Sequence, residues 1–302
     1  MNRYPKISIV TPNLNGAKHL EKTMLSVLGQ EYPNLEYMVI DGGSADGSQE
    51  IIRRYEDQLT FWESTSDAGM YHAVQKGFAR STGDIMAWIN SDDIYLPGSL
   101  FTVADIFSGV SGVHWLQGYP VVIDEEGRLV YSRPAIHSKW SFLLGDYRDG
   151  SFIQQESTFW SRELWERSGG ALSEEFRLAG DFELWMRFFR EFPMHCTPAV
   201  LGAFRYGRGG QISGVHYREY LDECHTIVDR HLATLCATDR ETLRRLKRAR
   251  NFSATHPFLA RLLGKDRLNI ETTDPPRIVT FNFGGYRFEE RANSRVRQAP
   301  NR

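Results

Sequence analysis

Four short apolar runs in the first hundred residues, each broken off by Asp, Asn, Ser and Gly, constrain this chain more than any other feature. They are ISIVT (Ile7 to Thr11), LEYMVID (Leu35 to Asp41), LTFWES (Leu59 to Ser64) and IMAWIN (Ile85 to Asn90). Helix-like segments lie between them. HLEKTMLSVLGQ sets Leu20, Met24, Val27 and Leu28 at helical spacing, and SQEIIRRYEDQ and AGMYHAVQKGFARS follow. Strand and helix alternating in this way predict a parallel sheet with covering helices. The runs lack strict alternation, as strands buried on both faces do. Ligands bind such sheets beyond the carboxyl ends of the strands. Here those ends read TPNLNG, DGGSADGS, STSDAG and NSDD.

The rest of the chain changes character twice. VHWLQGYPVVIDEEGRLVYSRP predicts two antiparallel strands about the turn DEEG. Residues 134 to 152 mix aromatic and charged side chains without a period, as functional or mobile loops do. STFWSRELWERSGG predicts a strand, a short helix and a glycine stop. AGDFELWMRFFREF predicts an amphipathic helix, and MHCTPAVLGAFRY one last strand. From about His216 the pattern is helical almost throughout, with a break near Ala237. The expected organisation is a catalytic unit over 1–215, a mainly helical extension over 216–288, and a polar, disordered tail over 289–302.

Composition removes several classes of function. A net charge of −2 over 302 residues makes no case for nucleic acid as a partner. The three cysteines, Cys196, Cys224 and Cys236, are far apart and form no C-x-x-C, so neither a disulfide framework nor a zinc site is expected. MNRYPKISIV is not a signal peptide, and no window approaches a membrane span, which predicts a cytoplasmic protein. The first turn lacks G-x-G-x-x-G, and no G-x-x-x-x-G-K-[ST] occurs, which argues against dehydrogenase-type dinucleotide and phosphate-loop sites.

The strand ends carry the candidate chemistry. Asp41 closes an apolar strand, where a carboxylate can accept from a base edge or ribose; it can equally be a turn aspartate before GGSADGS. Asp67 in SDAG is a candidate of the same kind, or the N-cap of the next helix. Asp92 and Asp93 are adjacent like charges. Neighbouring strand side chains point to opposite faces, so the pair is not a shared-proton dyad. One or two carboxylates with substrate phosphates suit Mg²⁺ or Mn²⁺; the alternative is a capping turn in SDDIYLPG.

Taken together, SIVTPNLNG, VIDGGSADGS, SDAGMYHAVQKGFARSTGD and NSDD, followed by QESTFW and LAGDFELWMRF, resemble a family 2 glycosyltransferase of the GT-A fold. The likeness runs over about residues 5 to 215, in family order and spacing. It implies an α/β fold of GT-A type: a mainly parallel Rossmann-like sheet flanked by helices, a small antiparallel hairpin region and a C-terminal helical extension. It also implies a nucleotide-sugar donor (UDP first, dTDP or GDP as alternatives), Mn²⁺ or Mg²⁺, and inversion at the anomeric carbon. The acceptor would be a carbohydrate or a lipid-linked species in bacterial polysaccharide or glycolipid assembly.

Carried over by position, Thr11, Pro12 and Asn13 border the base and ribose, Asp41 binds the base edge, Asp67 lies near the base, and Lys76 reaches the phosphates. Asp92 contacts ribose and sugar, and Asp93 ligates the metal, with Ser91 where many relatives carry an acid. Gln155 and Glu156 lie beside sugar and acceptor. Asp181 is the base that takes the acceptor proton, although GDFE also reads as a helix cap. His216 is a candidate metal ligand, or an ordinary helix-start histidine. The six basic residues Arg240, Arg244, Arg245, Lys247, Arg248 and Arg250 are either a solvated face or a contact with an anionic membrane. A nucleotidyltransferase and a non-catalytic nucleotide-sugar binding module are the competing readings.

Overall fold

The computed structural model describes residues 4–134, 137–150, 152–207, 216–262, 273–274 and 276–291. The amino-terminal alternation folds as β1 (Ile7–Asn13), α1 (Ala17–Leu28), β2 (Leu35–Asp41), α2 (Ser48–Arg53), β3 (Phe61–Ser64), α3 (Met70–Phe78) and β4 (Ile85–Trp88). Then come β5 (Ile94–Tyr95), α4 (Ser99–Gly109), β6 (Trp115–Gly118), β7 (Val121–Ile123), β8 (Leu129–Ser132), α5 (Lys139–Leu143), β9 (Thr158–Ser161) and α6 (Arg162–Arg167). The chain continues through α7 (Gly180–Glu191), β10 (His195–Thr197), β11 (Gly202–Arg205), α8 (Tyr217–Thr234), α9 (Ala237–Thr255), α10 (Pro257–Leu262), β12 (Arg277–Asn282) and β13 (Arg287–Glu290).

The main sheet has the order β13-β12-β10-β6-β9-β4-β1-β2-β3. It is mainly parallel; β9 runs antiparallel to both β4 and β6, and β13 antiparallel to β12. That reversal sets the position of the site. The carboxyl ends of β1, β2, β3 and β4 lie on one edge, and the amino end of β9 reaches the same edge with Gln155 and Glu156 just before it. A second sheet, β5-β11-β7-β8, stands beside it.

Three expectations need correcting. VHWLQGYP and PVVIDEEGRLVYS are not one hairpin: β6 joins the main sheet, and only β7 and β8 pair about the DEEG turn. MHCTPAVLGAFRY is two strands in two sheets, β10 and β11, because residues 198–201 break the ladder at Pro198. The stretch over 216–288 is helical from Tyr217 to Leu262, yet its end forms the β12–β13 hairpin, which extends the main sheet beside β10. That hairpin takes in Glu289 and Glu290, residues expected in the tail; residues 292–302 lie outside the described ones.

Two packing features carry the site. Trp88, Trp115 and Trp160 are fully buried, and Trp185 of α7 stacks on Trp88 at 5.9 Å and 6°. Trp160 meets Trp88 edge-on at 5.5 Å and Trp185 at 5.6 Å. Such aromatic pairs contribute roughly 0.5–1.5 kcal/mol each beyond burial, so α7 is pinned to β4, β6 and β9. On the other side, Gly77 of α3 leaves no room for a side chain. A Cβ there would sit 2.6 Å from both Val10 methyls. Glycine weakens a helix interior by about 1 kcal/mol relative to alanine, and here it lets α3 lie directly on β1.

Candidate active site

Each strand end organises its loop differently. At β1, Thr11 is buried with its Oγ1 3.0 Å from the Tyr37 hydroxyl, and Pro12 is buried beside it. Asn13 Nδ2 donates to Asp41 Oδ1 at 2.6 Å and to Ser44 Oγ at 3.2 Å. Its Oδ1 is buried with no partner among the described residues.

Asp41 turns inward. Its carboxylate accepts from Asn13, from the Gly43 and Ser44 amides at 3.2 and 2.9 Å, and from the Ser44 and Ser64 hydroxyls at 2.5 Å each. A carboxylate has about four lone-pair directions, so all are in use. Burial alone would raise its pKa, but these hydrogen bonds outweigh burial and hold it below the ordinary value. Asp41 thus ties three strand-end loops together and presents no free oxygen. A base N–H would have to displace a serine hydroxyl to reach it.

The Asp92–Asp93 pair is split as adjacent residues of an extended chain should be. Asp93 is fully buried, and its Oδ1 accepts the Arg205 amide at 2.8 Å. The β5–β11 register explains the contact: Ala203 opposite Ile94 brings Arg205 across from Asp92. Arg205 Nε donates to the Asp92 carbonyl at 2.7 Å, and Nη1 to the Asp124 and Glu125 carbonyls at 2.9 and 3.0 Å. Only Asp92 is partly exposed. Asp93, expected as the metal ligand, is the more deeply buried of the two and has its Oδ1 committed to the Arg205 amide.

Glu156, 2% exposed, completes an acidic group with this pair. Burial pushes all three carboxyls up, and the charges of Asp92 and Glu156 raise Asp93 further, against the pull of Arg205. Glu156 is pushed up to about 8 by burial, with Asp92 and Asp181 adding to the effect. Its carboxyl thus feels the charge of both Asp92 and Asp181. Gln155, also buried, donates to the Trp88 carbonyl and leaves its Oε1 without a partner among the described residues.

These residues fit a hard divalent cation in chemistry. The donors are carboxylates, and their mutual repulsion is what a cation relieves. No group of three His, Cys, Asp or Glu able to hold a metal occurs among the described residues, and Mg²⁺ takes only one or two carboxylates when phosphates and water supply the rest. His216 stands apart at the start of α8, its Nδ1 2.9 Å from Glu219 Oε1, so its ring is engaged there. Residues 208–215, which precede it, lie outside the described ones.

Asp181 lies within the first turn of α7, not at its cap, which is Ala179. Its Oδ1 accepts the Phe182 amide at 2.8 Å and lies 3.1 Å from the Tyr71 hydroxyl. Burial raises its pKa to about 6; Glu223 adds to the rise, while the Phe182 and Tyr71 hydrogen bonds oppose it. A base with a pKa near the working pH is well matched to proton abstraction. Glu183, by contrast, is locked to Arg187 at 2.8 Å.

Two further expectations change. Asp67 is not an N-cap: its Oδ1 closes a turn on the Gly69 amide at 2.8 Å, while Gly69 caps α3. Its Oδ2 lies close over Gly42, where a Cβ would be 3.0 Å away. Lys76 pairs with Glu63 at 3.0 Å and donates to Thr65 at 3.1 Å, so it is committed to β3 rather than free to reach phosphates. Sequence reasoning missed Arg205, Tyr71 and Glu223. Arg205 had a signal, since two adjacent carboxylates call for a nearby cation; Tyr71 and Glu223 had none.

The profile described as Glycosyl transferase family 2 matches residues 8–145. An uncharacterized glycosyltransferase of Rickettsia conorii (strain ATCC VR-613 / Malish 7) is 23% identical over 211 residues, 66% of this chain and 34% of its own length. One of Mycobacterium tuberculosis (strain ATCC 25618 / H37Rv) is 28% identical over 193 residues, 62% of this chain and 70% of its own. The chain thus spans about a third of the first of these relatives. Among solved structures, S. aureus TarS 1-349 in complex with UDP-GlcNAc superposes with a TM-score of 0.63 at 16% identity, covering 82% of this chain and 73% of that one. Mannosyltransferase PcManGT from Pyrobaculum calidifontis, with GDP-Man and Mn²⁺, gives 0.51 at 16% identity, covering 90% and 87%. The central sheet flanked by helices is the GT-A arrangement of TarS.

Proposed function

We propose, from the match of residues 8–145 to the glycosyl transferase family 2 profile, that the chain moves a sugar from a nucleotide-sugar donor to an acceptor hydroxyl with inversion. The catalytic unit is residues 1–215, braced by the helices after it. The observation that carries the reading is the acidic set at the carboxyl end of β4 and the amino end of β9, where buried Glu156 feels the charges of both Asp92 and Asp181. One carboxylate serves the leaving group and the other the nucleophile. As the acceptor oxygen bonds to the anomeric carbon, the carbon–oxygen bond to the diphosphate breaks. The electron pair leaves with the nucleoside diphosphate, and the acceptor proton passes to Asp181. Asp92 is the carboxylate that would hold Mn²⁺ or Mg²⁺, with Asp93 supporting the turn behind it. The cation, when bound, would neutralise charge gathering on the diphosphate. Thr11, Pro12, Asn13 and Asp67 border the nucleoside, and Gln155 and Glu156 floor the sugar pocket.

UDP is the first expectation for the nucleotide, supported by similar folds that hold UDP-GlcNAc or UDP. Thermal shift and hydrolysis across UDP-, GDP- and dTDP-sugars with Mn²⁺ test this reading. A ligand at 100 times its Kd raises stability by about 2.7 kcal/mol, so the true donor class should raise Tm by several degrees and release its nucleoside diphosphate. Stabilisation without turnover would make the chain a binding module.

A lipid-linked acceptor would bring the chain to a membrane surface. Of the basic residues on α9, Arg244 pairs with Glu241, Arg250 with Asp146 at 2.6 Å, and Arg240 donates to the Leu235 carbonyl. Arg245, Lys247 and Arg248 are exposed and make no ion pair among the described residues. The next helix, α10, carries Phe258 and Leu262, 78% and 71% exposed. Cations beside exposed apolar side chains suit an anionic interface. No described helix is long and apolar enough to cross a membrane. The protein should sediment with vesicles containing phosphatidylserine and not with phosphatidylcholine alone. Reversing the charges at Arg245, Lys247 and Arg248 should weaken binding at least 100-fold, at about 1 kcal/mol per cation. Binding that ignores salt and lipid charge would remove the idea.

A further inference from the structure

We propose that Glu223 of α8 is a positioning residue that sets Asp181, which makes the helices after the catalytic unit a working part of the active site. The inference rests on the reading of Asp181 as the base.

Three consecutive amides ahead of α7 converge on the Glu223 carboxylate. Arg177 N–H donates to Oε1 at 3.2 Å, and Leu178 and Ala179 donate to Oε2 at 2.9 and 2.7 Å. Helix starts leave such amides without partners, and a neighbouring side chain usually caps them. Ala179 has no polar side chain to offer. The cap comes instead from another helix, through the Glu223 side chain, and an acidic group suits the positive end of the α7 dipole. The same helix holds the segment again through Arg230 and Glu175, paired by both nitrogens at 2.6 Å.

The opposite side is equally closed. The Tyr71 hydroxyl of α3 lies 2.9 Å from the Leu178 carbonyl and 3.1 Å from Asp181 Oδ1. Between them Gly180 has no space for a methyl, since a Cβ would meet the Tyr71 ring at 2.8 Å. Residues 177–181 are thus clamped between α8 and α3, and Asp181 sits at the end of the clamp. The titratable groups facing it are Tyr71 from α3, Tyr220, Glu223 and Cys224 from α8, and Glu156 ahead of β9. Burial holds the tyrosines and the cysteine neutral. Glu223 raises Asp181 through its charge, and Tyr71 lowers it through its hydrogen bond.

The two clamp members therefore give opposite signatures. The assay is release of UDP from UDP-GlcNAc, or of the nucleotide from whichever sugar of the panel is turned over, with water standing in for the acceptor. Glu223→Gln should lower kcat at least tenfold, leave donor KM within about twofold, and move the acid limb of the pH profile to lower pH. Tyr71→Phe should lower kcat and move that limb to higher pH. Glu223→Asp, which keeps the charge but withdraws the carboxylate, should lower kcat with the limb in place; it takes over the test if the glutamine variant does not fold. Unchanged kcat and limb in Glu223→Gln, or limbs that move together in the glutamine and phenylalanine variants, would overturn the proposal. If Asp181→Asn itself retained turnover, the base reading would fail instead; if that variant were inactive while Glu223→Gln behaved normally, only the positioning role would fall.

Discussion

Asp181→Asn should keep nucleotide-sugar binding and lose turnover by roughly 10²- to 10⁴-fold, the usual contribution of a general base. The substitution is isosteric. The amide oxygen can still accept from the Phe182 amide and the Tyr71 hydroxyl, so α7 should start unchanged. What disappears is the ability to take a proton. The wild-type pH profile gives the matching signature. With Asp181 at about 6, the base is ionised above that pH and protonated below it. Activity should be flat above about pH 7 and fall tenfold per unit below 6, reaching about a tenth of the plateau at pH 5. The asparagine variant should lack that limb. Turnover within threefold of wild type in the variant would end the assignment.

Asp92→Asn should raise the Mn²⁺ concentration for half-maximal activity by about 100-fold or more, and excess chelator should silence the wild type. The scale follows from ligand-shell substitutions, which cost 10–100-fold even one shell out. Asp93→Asn is the informative contrast. Its amide oxygen still accepts the Arg205 amide, and the repulsion from Asp92 and Glu156 is relieved. Metal response should therefore change far less than in Asp92→Asn. The reverse order of effects would restore Asp93 as the ligand, and full activity in excess chelator would remove the metal from the reaction altogether.

The amino-terminal architecture was legible because its information is local. Apolar runs of strand length, helical spacing at Leu20, Met24 and Val27, and polar strand ends each name their element and the edge where a ligand belongs. Which way a side chain turns at that edge was not legible. Asp41 and Asp93 point into the protein because Ser64 and the Arg205 amide meet them there from other strands, beside Ser44 of the turn that follows Asp41. Lys76 pairs with Glu63 across a packing contact that no spacing encodes. The β12–β13 hairpin is a different kind of miss. Thr280 to Glu290 reads TFNFGGYRFEE, and paired glycines between aromatic-rich runs are a hairpin signal. The strength of the helical pattern before it drew the boundary too far.

The hairpin also changes what the carboxyl-terminal helices are. β10 and β12 are parallel neighbours, so residues 198–276 form one crossover connection between adjacent strands of a single sheet. An appendage could be shed without altering what it hangs from, whereas a crossover is fastened at both ends. Ribosomal synthesis can therefore complete this sheet only when its last strands emerge. A chain cut after Thr255 would keep Glu223 and the brace for Asp181 but lose β12 and β13. It would leave His195–Thr197 as an open strand edge, and such edges recruit other strands. Loss of β12 and β13 should thus read out first as association between molecules, before any measurement of catalysis.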